Sequence, residues 1–275
     1  MSRICLDRGG SMVTIDHLRA LHNPRYGGSL PQPLEGSTRH HPVPFDYFAD
    51  TIAHRTRKVL GGMYDIAETH LALNKKQDAL FGLYVLEEKA EWWGKDDVAD
   101  DHRSKVIAFR NSIVQEMSNQ VAFAKRVFIC ENLIMSADGD AIWVLKKNTT
   151  NVLSHLGYDI EMALNTAEGQ WEVIDEDVEL FQSVPLKRDR MAELTGLGQY
   201  RGILTSTQAN EVYRQIDSPT DEVFRGDTFW DYSNHLTEAV KIGSNVNTFT
   251  AHSGVHAFAK EQAMASRPRF FPGAA

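Results

Sequence analysis

Apolar and β-branched residues in the first half of the chain fall in short runs that predict β-strands. The densest stretch, residues 107–149, contains or adjoins apolar runs at 106–109, 121–134 and 141–145. An Asp-Gly-Asp sequence at residues 138–140 joins the last two runs. A glycine flanked by aspartates is a hairpin signal, because these residues adopt positive φ at low cost. The pattern therefore predicts antiparallel strands here.

A second pair of apolar runs, at residues 63–73 and 79–86, surrounds the short polar segment 74–78. This arrangement also predicts a β-hairpin. Lys75 and Lys76 lie at its tip. Two lysines at a hairpin tip indicate either a solvated turn or a contact for phosphate.

After residue 150 the apolar residues recur at spacings of three and four, which predicts amphipathic helices. One further helix, over residues 45–60, precedes the strands and ends at Gly61-Gly62. The C-terminal helices are predicted over residues 151–164, 168–181 and 186–197, after caps at 205–207 and 227–228, and more weakly over 249–265. Strands first and helices second is typical of the α+β class. We expect an antiparallel sheet in the N-terminal half followed by a helical C-terminal half.

The first 44 residues predict a proline-rich arm. Five prolines and Gly27-Gly28 interrupt this segment, a composition that does not sustain a helix or a central strand. We expect the arm to be loosely ordered or to lie over another surface, such as that of a neighbouring subunit. Together with open strand edges, the arm favours a homo-oligomer. The expected organisation is an arm (1–44), a β-rich region (45–148), a helical region packed on it in one compact domain (149–265) and a tail (266–275).

The composition is that of a soluble globular protein, with 42% hydrophobic and 24% charged residues. No apolar run approaches the roughly 18 residues of a membrane span, and the N-terminus lacks the pattern of a secretory signal. Only Cys5 and Cys130 are present, which argues against a disulfide framework and suits a reducing compartment. We therefore expect a cytoplasmic protein of the host cell, without a membrane partner.

The net charge of −8 is unevenly distributed. Residues 1–150 carry 19 Lys and Arg against 19 Asp and Glu, whereas residues 151–275 carry 10 against 18. A nucleic-acid site is therefore expected in the first half, where cations are denser. The alternative interpretation is that the second half is an acidic helical layer with no further meaning.

The sequence contains none of the common catalytic motifs GxxxxGK[ST], GxGxxG, HExxH or GxSxG. Its eleven histidines form no ligand pair with an acid at helical spacing. We therefore expect a protein that is not an enzyme and that binds no metal or cofactor. A nuclease or another enzyme with scattered carboxylates stays open as a weaker alternative.

Aromatic residues and cations share the predicted strands, a pattern typical of a surface for single-stranded nucleic acid. Base stacking supplies about 1–3 kcal/mol per base, and contacts to phosphate supply a salt-sensitive remainder. Strand alternation places Lys105 on the face of Phe109 and Trp143 on the face of Lys147. These rings can also belong to the core. The candidate nucleic-acid-binding residues are Lys75, Lys76, Trp92, Trp93, Arg103, Lys105, Phe109, Arg110, Lys125, Arg126, Trp143, Lys146 and Lys147.

The tryptophan pair in this set, Trp92-Trp93, lies in the charged segment 87–102. Indole prefers at least partial burial, so the pair either pins this loop onto the domain or leaves a ring accessible for stacking.

Four short motifs occur in order along the chain: Arg110-Asn111-Ser112, the sequence VFICENL at 127–133, Lys147-Asn148-Thr149, and WDYSNHLTEAVK at 230–241. This set resembles the phage/plasmid-like family of unknown function, whose core reads RNSxD, VFVCxN, RHT and WxxxNxxTEAxK. The likeness covers about residues 105–245. The chain departs from the family where it carries Ile113-Val114 instead of a polar pair, and Asn148 instead of histidine. The resemblance implies a protein of a mobile element without settled chemistry.

In size, cytosolic character and cationic strands, the chain is also similar to the Drc-type single-stranded-DNA-binding transcription cofactors of virulent podoviruses. The main hypothesis is therefore a phage-encoded, non-sequence-specific single-stranded DNA-binding protein acting in replication, recombination or transcription. The alternative is a non-enzymatic protein-binding module that engages a polymerase or a host defence protein, an idea motivated by the acidic helical half and the aromatic tail. The expected partners are single-stranded DNA, phage or host RNA polymerase, and further copies of the chain.

Overall fold

The computed structural model describes residues 11–33, 35, 37–89, 103–114, 118–127, 133–135, 142–145, 148–242 and 248–267. Over these residues the chain has an α+β fold, in which an antiparallel sheet of the N-terminal half is followed by helices of the C-terminal half. The predicted fold class is confirmed.

The strands of the described residues are β1 (Ser11–Val13), β2 (Tyr64–Leu73), β3 (Ala79–Glu88), β4 (Arg103–Ser112), β5 (Gln120–Val127), β6 (Leu133–Met135) and β7 (Ile142–Val144). The helices are α1 (Ile15–His22), α2 (Phe45–Val59), α3 (Val152–Leu164), α4 (Ala167–Ser183), α5 (Arg188–Tyr200), α6 (Ser206–Asp217), α7 (Phe229–Val240) and α8 (Thr248–Ser266). All seven helices predicted from apolar spacing are present.

The strands pair antiparallel in the order β1-β2-β3-β4-β5, and both β6 and β7 pair with β5. Because β6 pairs with residues 124–126 and β7 with residues 120–122, the two short strands lie end to end along β5. The sequence predicted a hairpin between the runs that contain β5 and β7. β5 and β7 do pair antiparallel, but β6 and β7, which flank residues 138–140, each pair with β5 and, among the described residues, not with each other. Residues 138–140 of the predicted turn lie outside the described residues.

The hairpin predicted around residues 74–78 is confirmed by the pairing of β2 with β3. Asn74 organises its turn, because its Oδ1 accepts hydrogen bonds from the backbone N–H groups of Asp78 and Ala79 at 3.0 and 3.1 Å. Gln77 takes a positive φ of 58°. The turn is thus built by a side chain that replaces a backbone acceptor.

Helices α2 and α4 lie on one face of the sheet, and α3 packs against α2. Two buried hydrogen bonds fix this layer. The Tyr84 hydroxyl of β3 donates to the Ala49 carbonyl of α2 at 2.9 Å, and Trp171 Nε1 of α4 donates to the Ala124 carbonyl of β5 at 3.0 Å. Both rings therefore bury their apolar surface and satisfy their polar atom.

Phe109 lies in the centre of this layer and is fully buried. Its ring contacts Phe48 of α2 and Tyr84 of β3, at centroid distances of 6.0 and 4.9 Å. It also lies directly against Gly82, its neighbour across the β3–β4 register, where an added methyl group would overlap the ring. A side chain at position 82 is thus incompatible with the present position of Phe109.

A second apolar core is formed by the C-terminal end of α4 together with α5, α6, α7 and α8. Thr205 and Thr228 begin α6 and α7 with capping boxes, as their position before the apolar runs predicted. Helix α4 contributes to both cores, with Trp171 and Val178 in the first and Phe181 in the second.

A buried ion cluster ties α8 to α4. Asp177 of α4 accepts hydrogen bonds from His256 Nε2 and Lys260 Nζ of α8, both at 2.9 Å. Burial by itself raises the pKa of the Asp177 carboxyl, but the hydrogen bonds from His256 and Lys260 outweigh it and hold this pKa below its usual value. The cluster therefore fixes the register of two helices whose contact is otherwise apolar.

The N-terminal segment differs from the predicted arm. β1 forms the edge of the sheet, and α1 begins with a capping box at Thr14 and buries Leu18 completely. The physical reason is the position of the prolines: the first is Pro24, so the segment that forms β1 and α1 contains no helix breaker. Val43, near the end of the predicted arm, is also fully buried. Residues 1–10 and 268–275, at the two ends, lie outside the described residues.

We predict that Gly82→Ala lowers the free energy of unfolding by about 1–3 kcal/mol, because the added methyl group displaces the Phe109 ring from a well-packed layer. Urea unfolding measures the change. Gly62→Ala is the control, since a methyl group there meets nothing within 4 Å. Equal stability of the Gly82→Ala and Gly62→Ala proteins would contradict the packing described for Phe109.

We also predict a stability loss in acid that originates at His235 of α7. Burial lowers the pKa of this imidazole to about 4, from an ordinary value of 6.5. Between these values the unfolded chain binds a proton that the folded chain does not, so this contribution is complete above pH 6.5 and is lost as the pH falls toward 4. The loss amounts to about 3 kcal/mol.

Urea unfolding at a series of pH values measures this loss, and His235→Gln should flatten the profile between pH 6.5 and 4. His155→Gln, at an exposed histidine of α3, is the control and should keep the parent profile. A His235→Gln profile identical to the parent profile would contradict the assignment.

Candidate functional site

Two lysines of the predicted nucleic-acid surface are engaged by acidic residues of α4. Lys125 of β5 is buried, and its Nζ contacts both carboxylate oxygens of Asp175 at 2.5 and 2.7 Å. Lys105 of β4 donates to the Tyr64 hydroxyl and lies 3.3 Å from a carboxylate oxygen of Glu168. These cations neutralise the helix that covers the sheet, so the prediction that they face solvent is wrong.

Arg126 of β5 lies on the opposite face of the sheet and is also buried. Its guanidinium makes two hydrogen bonds of 3.0 Å to Glu68 of β2, and His70 Nε2 lies 2.7 Å from the same carboxylate. The hydrogen bonds from Arg126, followed by that from His70, lower the pKa of Glu68 to about 2. This arrangement is a cross-strand ion pair, which stabilises the sheet and leaves the guanidinium fork occupied.

Phe109, the aromatic candidate whose side chain is described, is buried too and has no accessible surface. Phe123 of β5 is likewise buried and packs edge-on against Trp171 at 5.8 Å. Arg110 is buried, with its guanidinium 5.7 Å from the centre of the Phe249 ring of α8. In this fold Phe109 cannot stack on a base, and Arg110 supports the contact between α8 and the sheet.

The other candidate residues fall into three groups. Lys75 and Lys76 are exposed at the β2–β3 turn, as predicted. Arg103 and Trp143 belong to β4 and β7, and their side chains are outside the described part of the structure. Four candidates lie wholly outside the described residues: Trp92, Trp93, Lys146 and Lys147.

Residues of two of the four motifs meet in a buried polar network at the end of the sheet. Asn148 donates to the Ser112 carbonyl, and its Oδ1 accepts from Asn119 Nδ2 at 2.8 Å. Asn111 donates to the Val43 carbonyl at 2.9 Å. These amides join β4, the start of β5 and the segment before α2. These motif positions thus have a structural role, and Asn148 takes part in it.

A groove with a volume of about 770 Å³ lies between α1, α2 and α3. The end of α1 and the turn after it form one wall, residues 44–55 of α2 form the second, and residues 153–161 of α3 form the third. We call it the helical groove. The sequence gives no sign of this groove, because one of its walls belongs to the segment predicted to be an arm.

The helical groove is marked by exposed apolar side chains. Leu30, Tyr47, Leu153 and Tyr158 line it and are 53%, 45%, 49% and 62% exposed. They account for four of the ten large apolar side chains that are exposed among the described residues. The two α3 residues fall outside the buried face of that helix in the structure. Clustered apolar exposure of this kind marks binding surfaces.

The polar floor of the groove contains His22, Asn23 and Asp46. Asp46 is 4% exposed, and its Oδ2 accepts a hydrogen bond from Asn23 Nδ2 at 2.8 Å. Its Oδ1 is buried and has no hydrogen-bond partner. Burial lowers the pKa of the adjacent His22, and the charge of Asp46 opposes this only in part. The floor is therefore one carboxylate beside a neutral imidazole.

One side of the groove is closed by an ion cluster between α2 and α3. The Glu161 carboxylate of α3 pairs with Arg55 and with Lys58, whose Nζ lies 2.7 Å away. Hydrogen bonds from Lys58 and Arg55 lower the pKa of Glu161. The Arg55 guanidinium lies against Gly157, where a side chain would collide with it. This pairing fixes the width of the groove at that side.

Other kinds of site are not found in the described ranges. No three His, Cys, Asp or Glu side chains there are placed to hold a metal ion. No helix within these ranges is long and apolar enough to cross a membrane. Comparison with protein-family models, with curated proteins and with solved structures finds no match for this chain.

We predict that Asp175→Asn lowers the free energy of unfolding by about 1–3 kcal/mol, because the buried Lys125 keeps its charge and loses its carboxylate partner. Lys125→Met removes that charge, keeps an apolar stem, and should cost less. Urea unfolding measures both changes. Glu193→Gln breaks the exposed Arg190–Glu193 pair and is the control, with an expected change below about 1 kcal/mol. An Asp175→Asn protein as stable as the control would contradict a structural role for Lys125.

Proposed function

We propose that the protein is a non-enzymatic binding module that engages a segment of another protein in the helical groove. The observation that supports this proposal is the cluster of exposed apolar side chains around an open groove, described above for Leu30, Tyr47, Leu153 and Tyr158. Apolar surface that is exposed in one place and bordered by polar residues is typical of protein interaction sites.

The dimensions of the groove fit this use. Its volume of about 770 Å³ lies in the range of small-molecule pockets, roughly 300–1,000 Å³, so it has room for side chains of a partner segment. Helical walls with apolar and aromatic residues are the usual receptor for a segment of a partner protein. Tyr47 and Tyr158 offer large rings of low conformational entropy, and tyrosine is enriched among the residues that dominate binding energy.

The charge of the groove favours a protein partner over a polynucleotide. Its lining contains the three carboxylates of Asp46, Asp50 and Glu161 and one guanidinium, that of Arg55. Asp50 and Glu161 are already paired with Arg19, Arg55 and Lys58, so the cations at the groove are engaged by carboxylates and Asp46 adds a negative charge. A polynucleotide would also need accessible cations, and Lys105, Lys125 and Arg126 are held in ion pairs.

Single-stranded DNA binding stays a second hypothesis with a different location. Among the described candidates it is favoured only by Lys75 and Lys76, which are exposed together at the β2–β3 turn. Binding there would be dominated by phosphate contacts and would weaken as salt is raised. It is measured by titration of the protein with a single-stranded oligonucleotide at low and high salt.

We predict that a random peptide library selected on the immobilised full-length protein yields binders that occupy the helical groove. The double variant Tyr47→Ala/Tyr158→Ala should weaken the selected peptides at least about tenfold, because it removes both aromatic anchors. Tyr200→Ala is the matched control, since Tyr200 is 89% exposed on α5 and lies outside the groove. Fluorescence anisotropy of the labelled peptides measures the affinities.

Two results would overturn the proposal. One is a selection without any enriched peptide. The other is a set of enriched peptides that bind the double variant as tightly as the parent protein. Salt-sensitive oligonucleotide binding that survives in the double variant would favour the second hypothesis instead.

A further inference from the structure

We infer that the helical groove recognises a cationic side chain, a lysine or an arginine of the bound segment, through the carboxylate of Asp46. This inference rests on the proposed function and names the chemistry of the partner. It assigns the groove a specificity residue in addition to its apolar anchors.

The state of Asp46 supports the inference. Its Oδ2 has one neutral donor, the amide of Asn23, and its Oδ1 has none. Within the part of the chain that the structure describes, Asp46 makes no ion pair with Lys, Arg or His. A buried acceptor without a donor is costly, and a buried carboxylate without a cation is more so. A donor that arrives with a ligand removes this cost.

The surroundings of Asp46 do not provide the missing charge. His22 is buried beside it, and desolvation lowers the pKa of the ring, which is therefore neutral at pH 7. Arg19 of α1 is a nearby cation, but its guanidinium is paired with Asp50 of the groove lining at 3.1 Å. Arg55, the guanidinium of the lining, is paired with Glu161. The cations near the groove are thus engaged elsewhere, while Asp46 is not.

The position of Asp46 in its helix does not explain the unpartnered oxygen. Asp46 is the second residue of α2, where the helix dipole favours a negative charge. Asp189 occupies the same position in α5 but is exposed to water. A dipole interaction accounts for an acid at both positions and does not require burial at either. The burial of Asp46 on the groove floor is therefore the distinguishing feature.

The aromatic walls suit a cation that carries an apolar stem. Tyr47 of α2 and Tyr158 of α3 present ring surface on two sides of the groove. Lysine and arginine bury their methylene groups against such surface and bring the charged end to a carboxylate. A bare metal ion fits less well, because Asp46 provides one free oxygen and the described residues contain no group of three ligands.

The test uses three synthetic peptide libraries that share the same random positions and differ in one fixed central residue: lysine, norleucine or glutamate. The full-length protein should retain the lysine library at least about tenfold more strongly than the norleucine library, and the glutamate library least. Asp46→Asn should remove most of the preference for the lysine library over the norleucine library. Asp189→Asn, which removes a charge from the equivalent position of α5, should keep the preference.

The outcomes separate this inference from the proposed function. If the norleucine library binds as well as the lysine library, and Asp46→Asn has no effect, the cation inference fails while the groove remains a peptide site. If no library is retained, the proposed function fails as well. Thermal unfolding of the Asp46→Asn protein confirms that it is folded. In case it is not, addition of free lysine or butylamine as a competitor to the unmodified protein tests the same contact: displacement of the lysine library supports the inference, and unchanged retention contradicts it.

Discussion

The packing of α4 on the sheet is the interaction on which the rest of the structure depends. Trp171 fills the first core and donates to the backbone of β5, and Phe181, further along the same helix, belongs to the second core. On the side that faces the strands, α4 carries Asp175 and Glu168, which pair with Lys125 and Lys105. One helix thus joins two apolar cores and neutralises the cations of the sheet it covers.

This arrangement changes the meaning of the charge asymmetry in the chain. The first half carries the cations and the second half the excess of acids, and each half by itself suggests a charged surface for a partner. In the fold, Lys105 and Lys125 of the strands form ion pairs with acidic residues of α4 inside the molecule. An ion pair that is buried at one end contributes modestly to stability but specifies which helix lies on which strands. The described strands therefore show charge complementarity within the molecule.

The helical groove between α1, α2 and α3 lies away from these ion pairs and has unpaired features of its own. It combines apolar exposure at Tyr47 and Tyr158 with a carboxylate, Asp46, that has a free oxygen. Both features cost free energy in the isolated protein: apolar area faces water, and a buried acceptor lacks a donor. The buried carboxylate of Asp177, by contrast, has its donors within the chain. The groove is thus the place where an added partner relieves more than one cost at once.

The sequence by itself determined the α+β class, the β2–β3 hairpin and the seven helices found from spacing, because these follow from local periodicity and from caps such as Thr205 and Thr228. Only the tertiary structure decided which side chains are accessible. Phe109 and Lys125 look like binding residues along a strand, yet one lies over Gly82 and the other meets a helix fifty residues away. Residues 11–26 read as an arm because their partners, β2 and α2, are distant in sequence. Periodicity is a local property, whereas exposure depends on contacts between segments that the chain brings together only on folding.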